Sequence, residues 1–285
     1  MPSNIDDIQS LSIWEPAHNA DELISNGLLS PGSRMIYFGG PKSWKTILAQ
    51  HTAFCLATGR DWLGFHTRIC IPFKLQVELP KAIEKKRVLK YSNAMLQLTG
   101  RPDLASPPNM YFRTDNYIKL DTPAGVKSLE QNLDLISRRY PHNTIVLILD
   151  PVYKLITGHI EDSYDVQRLL DHLDLMMGQF NLAIILVHHA RKSRISNDGS
   201  IVDLGAEEST GSRYLANWCD TMIQLRLVNP RESQVEVMLN FVHTRNAEED
   251  LPNIKVKWER STLLPTILST DFHISETALD IRDLD

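Results

Sequence analysis

The sequence predicts an α/β fold: a mostly parallel, twisted sheet with helices on both faces and an antiparallel extension at one edge. Three observations carry this. Residues 144–149 (TIVLIL) and 182–187 (LAIILV) are unbroken apolar runs, the pattern of central parallel strands covered on both faces. Strand-like and helix-like segments alternate from residue 34 to residue 187, as a parallel sheet requires. Beyond residue 220 the strand-like segments follow one another without long helices, which fits an antiparallel edge.

Taken in order, residues 1–30 read as a polar lead ending in a short helix at 20–29. Residues 34–38 (RMIYF) form a short apolar strand closed by Gly39-Gly40-Pro41, and 46–58, rich in Ala and Leu, a buried helix capped by Gly59. Pro72 restricts the next strand to 73–77. A helix over 81–98 stops at Gly100-Arg101-Pro102, a short strand spans 110–113, and Pro123 opens a helix over 122–139. The run 144–149 closes with Asp150-Pro151, a helix covers 165–180, and the second central strand covers 182–187. After a polar stretch at 192–210 come a helix at 212–218 and strands at 221–227, 234–242 and 254–258. This divides the chain into a lead (1–30), one main domain (31–268) and an acidic tail (269–285).

Composition narrows the class. The 285 residues suffice for a full core, and 42% hydrophobic with 23% charged residues is ordinary for a globular protein. A net charge of −5 excludes a uniformly basic surface but leaves room for a basic channel or loop. Cys55, Cys70 and Cys219 lie far apart, without metal-ligand spacing, and read as buried free thiols. The start MPSNIDDIQS is unlike a signal or transit peptide, and no apolar run approaches the roughly 18–20 residues that span a bilayer. A cytoplasmic location without a membrane partner is therefore expected.

The chemistry concentrates at residues 39–46: Gly39-Gly40-Pro41-Lys42-Ser43-Trp44-Lys45-Thr46, between a strand and a helix. This is the phosphate-loop pattern G-x-x-x-x-G-K-[ST], with Trp44 at the second glycine. In such a loop successive N–H groups and a helix N-terminus surround an anion. Lys45 is expected on the β- and γ-phosphates of ATP and Thr46 on Mg²⁺. Trp44 is compatible with the loop if its φ is negative and its side chain points outward. Asp150, ending the strand TIVLILD, is the expected carboxylate partner of the metal. Glu78, past the end of its strand, stands where a group that activates water belongs, or is an exposed strand-end carboxylate. Of His188 and His189, alternation sends one toward the site; His189 is the expected γ-phosphate sensor. Lys192 and Arg194 open a long polar loop that reads equally as a nucleic-acid contact or a solvated segment. Arg245 reads as a surface arginine or as a finger acting on a neighbouring subunit.

In this order and spacing the motifs resemble RecA-like P-loop ATPases of the plasmid-replication group, the RepA-type hexameric helicases, within the wider replicative helicase and RecA superfamily. The resemblance covers roughly residues 23–258. It rests on ELISNGLLSPGSRMIYFGGPKSWKT, on Glu78 in LQVELP, on the Asp150 strand, on VHHARK and on GSRYLANWCDTMIQLR. The last segment matches the family's Gly-Ser…Ala-Asn-Trp-Ala-Asp at Gly211, Ser212, Ala216, Asn217, Trp218 and Asp220, with Cys219 replacing Ala. The resemblance implies a RecA-type core, ATP sites between subunits and a ring or filament, with Glu78, His189 and Arg245 in the roles above. The chain departs from it at Trp44 and at His243, where relatives carry a lysine two residues before the arginine. The expected function is an ATP-driven motor on single-stranded DNA. A nucleotide-gated regulator or loader with slow turnover is the rival, and a small-molecule kinase a third reading.

Overall fold

A computed structural model describes residue 8 and residues 22–160, 163–189, 213–231 and 233–270. The strands are β1 (Arg34–Gly39), β2 (Ile71–Gln76), β3 (Tyr111–Thr114), β4 (Ile145–Asp150), β5 (Leu182–His189), β6 (Thr221–Pro230), β7 (Gln234–Thr244), β8 (Ile254–Glu259) and β9 (Pro265–Thr270). They form one sheet in the order β3-β2-β4-β5-β1-β6-β7-β8-β9. Pairings from β3 through β6 are parallel, and those from β6 to β9 antiparallel. The expected parallel sheet with an antiparallel edge is what the chain forms.

The helices are α1 (Lys45–Thr58), α2 (Lys81–Thr99), α3 (Pro102–Ala105), α4 (Pro123–Arg139), α5 (Ser163–Gln179) and α6 (Arg213–Trp218), with a 3₁₀ turn at Val152–Leu155. Alternation along the strands sorts side chains into two cores. Met35 and Tyr37 of β1, Val146 and Ile148 of β4, and Ile185 of β5 join α1, α2, β7 and β8 on one face. Ile36 and Phe38, Leu147 and Leu149, and Ile184 join α4, α5 and α6 on the other. α1 is buried nearly all round, as its lack of a polar face requires. It ends where Gly59, in the left-handed region, returns its N–H to the Cys55 carbonyl. At α4, Thr122 accepts the Gly125 N–H at the N-terminus, and Arg138 and Arg139 face the negative end of the dipole.

Three sequence expectations are corrected. Residues 22–29 are not helical: Ile24 and Leu29 bridge antiparallel around Asn26 and Gly27, whose φ values are 62° and 71°. Asn-Gly with both φ positive is the natural centre of a tight hairpin turn. β2 runs through Pro72. Alternate N–H groups of β2 point to β4, starting at Ile71, so the missing donor of Pro72 faces the other side, where β3 has not begun. The chain also adds β9, paired with β8, which the sequence reading did not contain. No helix among the described residues is long and apolar enough to cross a membrane.

Trp258 of β8 is 1% exposed and lies in the core shared with α1. Trp258→Ala is expected to cost about 3–5 kcal/mol of stability, read as a shifted midpoint in urea denaturation.

Candidate active site

Four parallel strands end at one sheet edge, and the chemistry gathers there. β1 delivers the loop to α1, β4 delivers Asp150, β2 leads through Gln76 to Glu78, and β5 delivers His189. The carboxyl ends of parallel strands are where such sheets bind ligands.

The loop begins with a close approach. A Cβ on Gly39 would strike the Leu225 carbonyl of β6 and crowd Ser43 Oγ, so glycine is required there. Ser43 donates to the Gly40 carbonyl at 2.8 Å. Lys45, 4% exposed, donates to the Gly39 and Gly40 carbonyls at 2.8 Å each and to Ser43 Oγ at 3.1 Å, using all three of its hydrogens. Burial lowers its pKa to about 8, against the opposing pull of Asp150 and Glu78. The N-cap of α1 offers no side-chain hydrogen bond, and the first turn carries no acid, so no carboxylate competes for an anion there.

Trp44 corrects an expectation. Its φ is +69°, not negative, in the left-handed region that costs a non-glycine residue about 1–2 kcal/mol. Its indole is half-buried and engaged elsewhere: the Trp258 ring lies 6.1 Å away, and the Arg260 guanidinium sits 5.5 Å from its centroid. Lys42, also at positive φ (61°), is exposed. Pro41 is exposed as well.

Thr46 Oγ1 donates to Asp150 Oδ1 at 3.2 Å. A hydroxyl and a carboxylate at a phosphate loop are the hard oxygen donors Mg²⁺ takes from a protein, so the residues fit that ion. The described residues contain no cluster of three or more metal-binding His, Cys, Asp or Glu. The other oxygen of Asp150 accepts from Gln76 Nε2 at 3.0 Å and lies 3.4 Å from Lys74 Nζ. Gln76 Oε1 in turn accepts the N–H groups of Glu78 and Leu79, fixing the start of the segment that carries Glu78. Tyr153 donates to Glu78 Oε1 at 3.0 Å, and its ring meets His189 edge-on at 5.3 Å. Burial, reinforced by Glu78, raises the Tyr153 pKa to about 12. His189 is half-buried, whereas His188 is 1% exposed. Burial and then Lys45 lower the His189 pKa, so its imidazole is neutral at neutral pH.

The structure thus brings together Gly39, Gly40, Ser43, Lys45, Thr46, Asp150, Glu78 and His189. It does not bring in Arg245. Thr244 is level with Thr221, itself level with Met35, four residues back along β1 from Gly39 and about 13 Å away at strand rise. At that opposite edge Arg245 donates to Asp220 Oδ1 at 3.0 Å and to the Asn217 carbonyl at 3.2 Å. Lys192, Arg194, Gly211 and Ser212 lie outside the described residues. Lys74, Gln76, Glu84 and Tyr153 are site residues that sequence reading missed. A lysine and a glutamine alternating inside a strand buried on both faces were the available signal.

A sheet parallel from β3 to β6, a phosphate loop feeding α1, and a carboxylate on the second strand over from β1 define a P-loop ATPase fold of the RecA-like class. The chain belongs to the AAA domain family, whose sequence profile matches residues 2–194. Among solved structures it is similar to the ATPase domain of G40P (TM-score 0.58, 13% identity, 83% of this chain and 85% of that one). It is similar to a DnaB-like replicative helicase studied with primase (TM-score 0.58, 13% identity, 82% of this chain), of which it covers 58%. It is also similar to the KaiC-like protein PH0186 from Pyrococcus horikoshii OT3 (TM-score 0.54, 12% identity, 88% and 96%). No curated protein matches it by sequence.

Two predictions follow from the loop. Trp44→Ala keeps the left-handed φ but loses the indole contacts, whereas Trp44→Gly loses the contacts and relieves the φ. The glycine variant is expected to be the more stable of the two by about 1 kcal/mol in chemical denaturation. For Lys45 the sign is set by a pKa lowered from 10.5 to about 8. Anion binding needs the ammonium, so nucleotide affinity is expected to stay level from pH 7 to about 8 and fall above it. Stability of the unliganded fold moves oppositely, rising between about pH 8 and 10.5, where the unfolded chain holds the extra proton. Titration calorimetry against pH checks the first, and Lys45→Ala should flatten the second.

Proposed function

We propose that the chain is an ATP-driven motor acting on single-stranded DNA, of the replicative helicase kind, with residues 31–268 as its ATPase domain. The observation that supports this most is the convergence of Lys45, the Thr46–Asp150 pair, Glu78 and His189 on one sheet edge. In this reading residues 39–46 wrap the triphosphate, and Lys45 exchanges its loop carbonyls for β- and γ-phosphate oxygens. Thr46 and Asp150 hold Mg²⁺, which supplies charge neutralisation to the phosphates when bound. Glu78, anchored through Gln76 and Tyr153, orients and deprotonates the attacking water. His189, neutral and aimed at the same edge, donates a hydrogen bond that reports the γ-phosphate to the loop beyond it. That loop carries Lys192 and Arg194, assigned to phosphates of the DNA strand, which predicts weak, salt-sensitive binding. Arg245 is assigned in trans, in a homo-oligomeric ring or filament, the hexamer included, because its own phosphate loop is at the far edge.

One observation favours a second reading, a nucleotide-gated regulator or loader with slow turnover. Trp44 holds the loop in a left-handed turn pinned to Trp258 and Arg260. A loop so fixed resists the rearrangement that turnover demands.

Steady-state ATP hydrolysis with and without single-stranded DNA separates the readings. The motor predicts DNA-stimulated turnover that Lys45→Ala abolishes. Glu78→Gln should lower kcat by about 100-fold or more while ATP binding persists. Tight ATP binding without turnover supports the regulator, and no binding of adenine nucleotides in the presence of Mg²⁺ rejects both.

A further inference from the structure

We infer that Lys74 is a resident counter-cation of the metal site, a positioning residue that makes divalent-ion binding depend on the phosphates of a nucleotide. This rests on the reading of Thr46 and Asp150 as the Mg²⁺-binding pair.

Lysines are almost never fully buried, yet Lys74 lies mid-strand in β2 at 0% exposure. Its register explains why it is tolerated. Lys74 is level with Ile148 and Gln76 with Asp150, so the lysine points to the same face as the carboxylate one step further on. Its ammonium lies 2.7 Å from Glu84 Oε1 and 3.4 Å from Asp150 Oδ2. One buried cation therefore serves two buried carboxylates. Glu84 Oε2 is also buried and has no hydrogen-bond partner among the described residues, which leaves capacity at Glu84 for a stronger contact with the lysine.

A fixed positive charge this close to Asp150 opposes a second cation on the same carboxylate, and low dielectric strengthens the opposition. Mg²⁺ arriving alone competes with Lys74. Mg²⁺ arriving with a triphosphate brings its own excess of negative charge, and the balance tips. Glu84 is the second seat, already the shorter contact, onto which the lysine can withdraw. Glu84 stands in the first turn of α2, and residues 77–80 join β2 to α2, so the same ammonium ties the metal pair to the segment bearing Glu78.

The test uses Mn²⁺ alone, without nucleotide, titrated against the full chain with free ion read by electron paramagnetic resonance. Wild type is compared with Lys74→Met and with Lys74→Met/Glu84→Leu. The single variant leaves Glu84 buried without its cation and is expected to melt about 5–10 °C lower, with Mn²⁺ restoring part of the loss. The double variant replaces both charges by apolar groups and guards against simple misfolding. It is expected to bind Mn²⁺ at least about tenfold more tightly than wild type, a gain that Asp150→Asn removes. Unchanged Mn²⁺ affinity in the double variant overturns the inference, and so does a gain that survives Asp150→Asn. Because nucleotide is absent throughout, a chain that fails to bind ATP would sink the proposed function without deciding this result.

Discussion

Asp150 is gripped by three side chains from two elements: Thr46 from the start of α1, and Gln76 and Lys74 from the end and middle of β2. A carboxylate 1% exposed is costly unless each lone pair is met, and here both oxygens are. That requirement locks the relative heights of β2 and β4 and the entry of α1. A slip of one residue in β2 would turn Lys74 and Gln76 to the opposite face and leave the carboxylate bare. Gln76 extends the constraint by accepting two backbone N–H groups of the following turn, so the position of Glu78 follows from the position of Asp150.

The antiparallel edge is tied to this centre rather than appended to it. Trp258 of β8 receives Trp44 of the loop and the edge of His51 from α1, and His51 shares a 2.8 Å hydrogen bond with Tyr91 of α2. Burial pushes the His51 pKa down to about 3, so this ring stays neutral and belongs to the core. The left-handed turn at Trp44 is thus supported by contacts from the antiparallel strands on the same face of the sheet. That explains how a tryptophan persists where steric economy favours glycine: the cost in backbone conformation is offset by aromatic packing and a guanidinium on its face.

The sequence made the architecture and the line of phosphate-loop, strand-end acid and strand-end histidine legible, because these follow from local signals: apolar runs, glycine placement and alternation. It made legible that His188 packs away and His189 faces the site. It did not yield the Asn26-Gly27 turn, which was hidden behind helix-like spacing of the neighbouring leucines. Nor did it yield the course of β2 through Pro72, since which side a missing N–H faces depends on where β3 begins. The sign of φ at Trp44 was beyond it too, because the indole's partners, Trp258 and Arg260, lie more than two hundred residues on. Lys74 and Glu84 were invisible as a pair for a related reason: a lysine inside an apolar strand signals a buried charge but not its partner, and only the packing of α2 against β2 joins them.

The molecule also has two chemically distinct edges. The phosphate loop, Asp150, Glu78 and His189 occupy one. Arg245, Asp220, Asn217, Arg34, Trp218 and Asp174 form a bonded cluster at the other. Any role for Arg245 at a phosphate requires a second copy, because the two edges of one sheet cannot fold onto each other. A heterologous contact, one copy's far edge against the next copy's loop edge, would close into a ring or continue as a filament. In such a contact Arg245 would have to leave Asp220, which also accepts the Arg34 N–H at the start of β1. Release of the arginine would then be felt at the base of the strand that carries the phosphate loop.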